Sequence, residues 1–354
     1  MNTRYTELQT KWGVVVASDK VGGWVVLETA VPVEPSVVFD QDRTKDFGLV
    51  HRRKTLTHPA ISSAITIATH AVRLSGEPHS EIIYGPTQSV RLSAHPVHGY
   101  DAVHGVQIWL GDPDAEPAPP RTIEGWSYDP NEKMTYHGKG VDPNILGVDE
   151  PRPLIVAAPA YFQQFDRFER ELEVGQFVSA VGEGTVPEGH SFEGDVELTD
   201  GHGVERTIHV TGRGVNVGTS RPMVHGLLHD ITDIRPPSGH FERRFARDMA
   251  KIIGATHGVG HYDFQTKMVT EWLTDPPAPL HRWKAAAPQY HPDECPRICD
   301  ALQPLTDGRS EYVEMTVRLR FPDTDWIPAT LGLRAAHAGP RGRGLLTVRS
   351  ATPT

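Results

Sequence analysis

Cysteine is nearly missing from this chain. Two in 354 residues, Cys295 and Cys299, exclude a disulfide-stapled scaffold and fit a reducing compartment. No stretch approaches 18 consecutive apolar residues, and the opening MNTRYTELQ is not a basic-then-apolar leader. Neither a membrane helix nor a secretory signal is therefore expected, and a cytoplasmic location is. Basic residues are outnumbered, Lys+Arg 35 against Asp+Glu 45, for a formal charge of −10. A protein that displaces counterions from a nucleic-acid backbone needs the opposite balance. The signatures of catalysis are missing too: there is no GxxxxGK[ST] loop, no GxSxG elbow, no HExxH and no kinase signature set. No catalytic residue is assigned, and the chain is expected not to be an enzyme.

What is present is enough to build packed domains. Hydrophobic residues make up 38% and charged residues 23%, a globular balance. Gly 33 and Pro 30 supply the turns that a strand-rich chain requires. A chain of this length is expected to divide into two or three domains.

Internal recurrences give the division. Tyr128-Asp129…Lys133-Met134 returns as Tyr262-Asp263…Lys267-Met268, 134 positions later. In each copy a short polar stretch joins two strand-like runs, which predicts a hairpin. A second recurrence closes each unit: His104-Gly105-Val106-Gln107-Ile108-Trp109, His225-Gly226-Leu227-Leu228-His229-Asp230 and Arg343-Gly344-Leu345-Leu346-Thr347-Val348. Their glycines lie 121 and 118 positions apart. Three related domains are expected, 1–111, 121–234 and 255–354. The acid- and proline-rich 112–120 (DPDAEPAPP) is an extended linker. Residues 235–254 form a linker helix, whose Phe241, Phe245, Met249 and Ile252 share an apolar face. That face either covers its own domain's sheet or serves signalling or dimerisation between domains.

Within units the pattern is α+β. Trp12 to Ala17 and Gly23 to Leu27 read as a strand pair. Pro59 opens a helix with Ile61, Ala64, Ile65, Ala68 and Val72 on one stripe, ending near Gly76. Tyr161, Phe162, Phe165 and Phe168 fall at helical spacing ahead of Gly175. Glu311 to Phe321 alternates as a strand with Tyr312, Val317, Leu319 and Phe321 inward. Gly339 to Gly344 reads as a hairpin turn rather than an anion-binding loop.

The third unit resembles a PAS domain. The residues that carry the likeness are the hairpin His261-Tyr262-Asp263…Met268-Val269-Thr270-Glu271-Trp272, the helix-opening His291-Pro292-Asp293-Glu294, and the closing strands from Gly308 to Arg320 and Asp325 to Pro328. The second unit is similar through Gly125-Trp126-Ser127-Tyr128-Asp129 and the terminal Asp230-Ile231-Thr232. The first unit has the strand–helix–strand outline shared by PAS and GAF domains. The whole resembles a standalone actinobacterial tandem of such sensory domains. The resemblance implies three five-stranded antiparallel sheets with flanking helices, each around a small cavity, and a non-catalytic sensory or signalling role. The partner would be a small, apolar ligand or a separate signalling protein.

Candidate site residues follow from the aromatics. Tyr161, Phe162, Phe165 and Phe168, with Trp272 and Trp283, are the candidate lining of an apolar pocket. A fatty acyl chain is the expected class of ligand, because no cofactor motif competes for the space. The alternative is a carrier for such a metabolite. Haem and flavin lack their sequence signatures, so no cofactor is assigned. His291, Cys295 and Cys299 fall at i, i+4 and i+8 of a predicted helix but make a poor zinc set, and the cysteines are read as packing or surface residues; no metal is assigned.

Overall fold

A computed structural model describes residues 23–30, 35–49, 59–84, 89–150, 152–158, 161, 164–238, 257–264, 267–335 and 343–351. Three antiparallel sheets follow one another along the chain. The first holds β1 (Trp24–Glu28), β2 (Ser36–Asp40), β3 (Arg43–Leu49), β4 (His79–Tyr84), β5 (Ser89–His98) and β6 (Val103–Gly111), in the order β3-β2-β1-β6-β5-β4. The second holds β7 (Ile123–Asp129), β8 (Met134–His137), β9 (Ile155–Ala157), β10 (Phe165–Phe168), β11 (Ser191–Thr199), β12 (Glu205–Val215) and β13 (Met223–Asp230), in the order β10-β11-β12-β13-β7-β8-β9. The third holds β14 (Gly258–Asp263), β15 (Met268–Thr274), β16 (Gln289–Tyr290), β17 (Tyr312–Arg320), β18 (Ile327–Ala335) and β19 (Arg343–Ser350), in the order β15-β14-β19-β18-β17-β16.

This corrects the expected fold class. The sheets have six, seven and six strands, not five. Against nineteen strands stand three α-helices among the described residues: α1 (Pro59–Ser75), α2 (Glu171–Gly182) and α3 (Cys295–Thr306). The fold is predominantly β. Part of the misreading lies at Phe165 and Phe168. Their spacing of three reads as one face of a helix, yet they sit in edge strand β10, whose register against β11 shifts between Phe165 and Arg167. A bulge inserts one residue and so returns both rings to the core face, which a regular strand would not do at that spacing.

Each sheet closes by pairing its last strand with its first: β6 with β1, β13 with β7 and β19 with β14. The recurrent glycines lie at these closures. Gly105 pairs with Glu28, Gly226 with Trp126 and Gly344 with Tyr262. A Cβ at Gly105 would stand 2.9 Å from the Leu27 carbonyl oxygen; at Gly226 and Gly344 it would overlap the carbonyls of Thr211 and Arg334. Glycine recurs because neighbouring backbone occupies the side-chain position.

α1 buries Ile61, Ile65, Ala68, Thr69 and Val72 against Leu27, Leu92 and Val106 of the first sheet. Its β-branched residues lower intrinsic helix propensity, so this contact holds it. In the third unit, His291 caps a short 3-10 turn (Pro292–Glu294) by accepting from the Asp293 N–H. Glu294 then accepts from the Arg318 main-chain N–H at 2.6 Å and from its Nε at 2.7 Å. The HPDE segment thus fastens the start of α3 to β17. Cys295 and Cys299 on α3 are exposed free thiols. In β17, Val317 and Leu319 are buried, but Tyr312 is 43% exposed, contrary to its expected inward position. Trp12 to Ala17, Phe162, the linker-helix face of Phe241, Phe245, Met249 and Ile252, and the turn before Arg343 lie outside the described residues.

The sheets do not stand apart. Val26, Val38, Phe39 and Val97 of the first form one apolar cluster with Ile123, Leu227 and Ile231 of the second unit. Arg121, just past the linker, fastens this contact. Its Nε donates to His229 Nε2 at 2.7 Å, its guanidinium binds Asp233 and the Asp230 carbonyl, and it lies 4.8 Å over the Phe39 ring. A second cross-sheet pair has a fully buried carboxylate: Arg213 Nε stands 3.0 Å from Glu28 Oε2, and Arg213 also donates to Ser36 Oγ at 2.7 Å.

Candidate functional site

The second sheet's core contains an apolar slot of about 40 Å³. Trp126 and Tyr128 of β7 form one wall, Phe165 and Phe168 of β10 with Tyr161 a second, and Val174 and Val178 of α2 a third. The rings interlock edge to face: Tyr161 and Phe165 centroids are 5.4 Å apart, Phe165 and Phe168 6.1 Å, Phe168 and Phe192 6.3 Å. Such geometry sets the positive edge of one ring on the negative face of the next. The remaining wall comes from the third sheet, through Met268, Thr270, Asp263 and Arg343.

Three of the six expected pocket residues, Tyr161, Phe165 and Phe168, therefore meet in one place. Trp272 and Trp283 do not join them. They pack edge to face at 5.6 Å inside the third sheet's own core. Residue type alone made them candidates; which core each ring enters was decided by strand order. Among the lining residues missed from sequence are Trp126, Tyr128 and Met268. Two of these, Tyr128 and Met268, belong to the recurrent Tyr-Asp…Lys-Met motif, so a signal was there to read.

The two copies of that motif pack against each other. Tyr128 Oη donates to Met268 Sδ at 3.3 Å. Lys133 Nζ donates to the main-chain carbonyl of Lys267 at 3.0 Å. Lys133 and Lys267 share a left-handed backbone, with φ of 57° and 52°, as equivalent turn positions should. Burial, together with the neighbouring Lys267 ammonium, lowers the Lys133 amine to about 8. Burial first, and the Asp129 carboxylate second, push the Tyr128 hydroxyl well up, so it remains a donor.

A second, polar cleft of about 860 Å³ opens where the first sheet meets the second. It lies between the C-terminal turn of α1 (Arg73 to Ser75), the β5–β6 hairpin (His98 to His104) and Glu124, Lys139 and His225 of the second unit. The His104 and His225 rings stack at 4.7 Å with planes 10° apart. Burial lowers both imidazoles, His225 to about 4, so this stack is neutral near pH 7. Burial raises the Glu124 carboxyl, against the opposing donation from Asn144 Nδ2 at 2.7 Å. The cleft has the size of a small-molecule site.

One His–carboxylate pair has the look of catalytic machinery: His209 Nδ1 is 2.7 Å from Asp195 Oδ1. Its Nε2 faces Glu193 at 3.7 Å, and burial lowers the imidazole. The Asp195 carboxylate is also bound by Arg235. The pair ties β11 to β12 rather than activating a nucleophile. Among the described residues, no group of three His, Cys, Asp or Glu is arranged to hold a metal ion, and no helix is long and apolar enough to cross a membrane.

Residues 23–120 match the family model described as Rv3651-like, N-terminal. No curated protein matches. Among solved structures, an uncharacterized protein from Mycobacterium tuberculosis superposes with a TM-score of 0.67 at 19% identity, covering 94% of this chain and 97% of that one. An RNA-binding light-oxygen-voltage receptor covers 65% of this chain and 95% of its own at 10% identity, with a TM-score of 0.24. A sensory box histidine kinase/response regulator from Burkholderia thailandensis covers 38% and 88% at 13% identity, with a TM-score of 0.23. Overlaps as loose as the last two carry nothing about fold or function. This chain is thus similar in fold to the mycobacterial protein over nearly the whole of both, and in sequence to the Rv3651-like N-terminal family over its first sheet.

Proposed function

We propose that the chain is a non-catalytic sensory protein that responds to a small apolar molecule, of the fatty acyl class, bound in the slot between the second and third sheets. One observation carries this reading. The surface lining the slot is almost wholly apolar, and its walls belong to two different sheets. A ligand there touches both sheets at once, which gives it differential affinity for two arrangements of the pair, the requirement for a population shift.

The slot's size favours a sensor over a carrier. An apolar cavity that binds benzene has a volume of about 150 Å³, and the slot offers about 40 Å³. A storage cavity is built at the size of its cargo. Here binding requires the slot to widen, which couples occupancy to conformation. Trp126 lies in the lining and reports on it. Native mass spectrometry of the purified protein, with Trp fluorescence titrations against saturated fatty acids of increasing length, tests the proposal. An apolar adduct and a saturable fluorescence change are expected. A ligand-free spectrum with no fluorescence response would end the idea.

A further inference from the structure

Of the four residues that the third sheet lends to the slot, Met268 is the one whose side chain joins the second sheet's core. Met268 opens β15, directly after the hairpin turn, and is 8% exposed. It packs with the core of the second sheet, while its chain neighbour Val269 packs with the third. Tyr128, from the first copy of the motif, holds the thioether by a hydrogen bond, and Lys133 holds the hairpin's backbone one residue earlier.

We propose that Met268 is a built-in occupant of the slot, a surrogate ligand that an acyl chain must displace. This inference rests on the reading of the slot as the ligand site. The space left beside Met268 is too small for a hydrocarbon chain, so the two compete for one volume. Methionine suits the role: it is unbranched, apolar and polarizable, and it withdraws or repacks with little rotamer strain. Displacement breaks the Tyr128–Met268 bond and releases the hairpin that Lys133 grips. The third sheet then changes its docking on the second. The apparent affinity for the ligand is the intrinsic affinity reduced by the fraction of molecules with Met268 withdrawn.

The test is titration of the full chain with cis-parinaric acid, a fluorescent fatty acid, followed by its emission. Wild type, Met268→Ala and Tyr128→Phe are compared. Met268→Ala is expected to bind at least about 10-fold tighter, because the competitor is gone. Tyr128→Phe keeps the slot's volume and loses only the latch, so it should bind roughly 2- to 10-fold tighter, the worth of one hydrogen bond. Wild-type binding that neither variant tightens would overturn the surrogate and leave the ligand reading standing. Failure of all three folded proteins to bind would overturn both. Should Met268→Ala not fold, Tyr128→Phe decides alone. Small-angle scattering adds the conformational half: saturating parinarate should shift the wild-type curve, and an unchanged curve would overturn transmission to the third sheet.

Discussion

The Lys133 ammonium donates to the main-chain carbonyl of Lys267 across 3.0 Å, joining the same position of two copies of one motif. The Tyr128–Met268 hydrogen bond lies beside it. A duplicated hairpin has become an interface with its own copy. The apolar slot lies where the two copies meet, so ligand binding and sheet docking draw on the same few side chains.

Stability should fall as pH drops from about 6.5 towards 4. Burial holds His104, His209, His225 and His229 below the ordinary imidazole range, and at His229 the Arg121 cation adds to it. A base whose folded pKa lies below its unfolded value adds stability that is complete above the unfolded value and lost as pH falls through the folded one. For His225, moved from 6.5 to about 4, this is on the order of 3 kcal/mol at 1.36 kcal/mol per unit. Urea melts across this range would show it, and a flat profile would refute it.

Glu28 should act in the opposite direction. Burial, only partly offset by Arg213, pushes its carboxyl from 4.5 up to about 7. An acid with a raised folded pKa adds stability below its unfolded value and loses it as pH rises through the folded one. Glu28→Gln removes this titration. The variant's stability relative to wild type should therefore rise between pH 4.5 and 8, by something on the order of 3 kcal/mol. A difference that stays constant with pH would show that Glu28 ionises normally.

Alanine at the three closing glycines should be graded in cost. Gly226→Ala and Gly344→Ala force a methyl onto a neighbouring strand's carbonyl, whereas Gly105→Ala meets one at 2.9 Å. Overpacking costs about 1–3 kcal/mol, with Gly105 at the low end. Equal thermal melts for all three variants would disprove the close-approach explanation of the repeat.

Arg121→Ala should loosen the first sheet from the second. It removes the donor to His229, the pairing with Asp233 and the cation over Phe39. Asp233 is 63% exposed, so water screens that pair and the loss is on the order of 1 kcal/mol. Hydrogen exchange should accelerate in β1, β2 and β13 before it does in the third sheet. Uniform acceleration across all three sheets would contradict this local role.

Much of the fold could be read from short-range pattern. The stripe from Ile61 to Val72 marks the buried face of α1, and the recurrent glycines mark the strand that closes each sheet. The polar turns of the Tyr-Asp…Lys-Met copies mark two hairpins. Phe165 and Phe168 show where local pattern misleads, since a bulge imitates helical spacing. The site was legible only in pieces. Tyr161, Phe165 and Phe168 stand out as aromatics, but so do Trp272 and Trp283, which enter a different core.

By itself, the amino-acid order determined the turns, the three closures and the existence of a duplicated hairpin, because each depends on residues close in the chain or on glycine where backbone leaves no room. Tertiary structure alone decided that Met268 crosses into its neighbour's core, that Arg121 bridges the first sheet to the second and that Glu28 is buried beside Arg213. Those outcomes depend on how finished sheets pack face to face. A contact between residues 140 positions apart leaves no periodic trace in the sequence for either partner to betray.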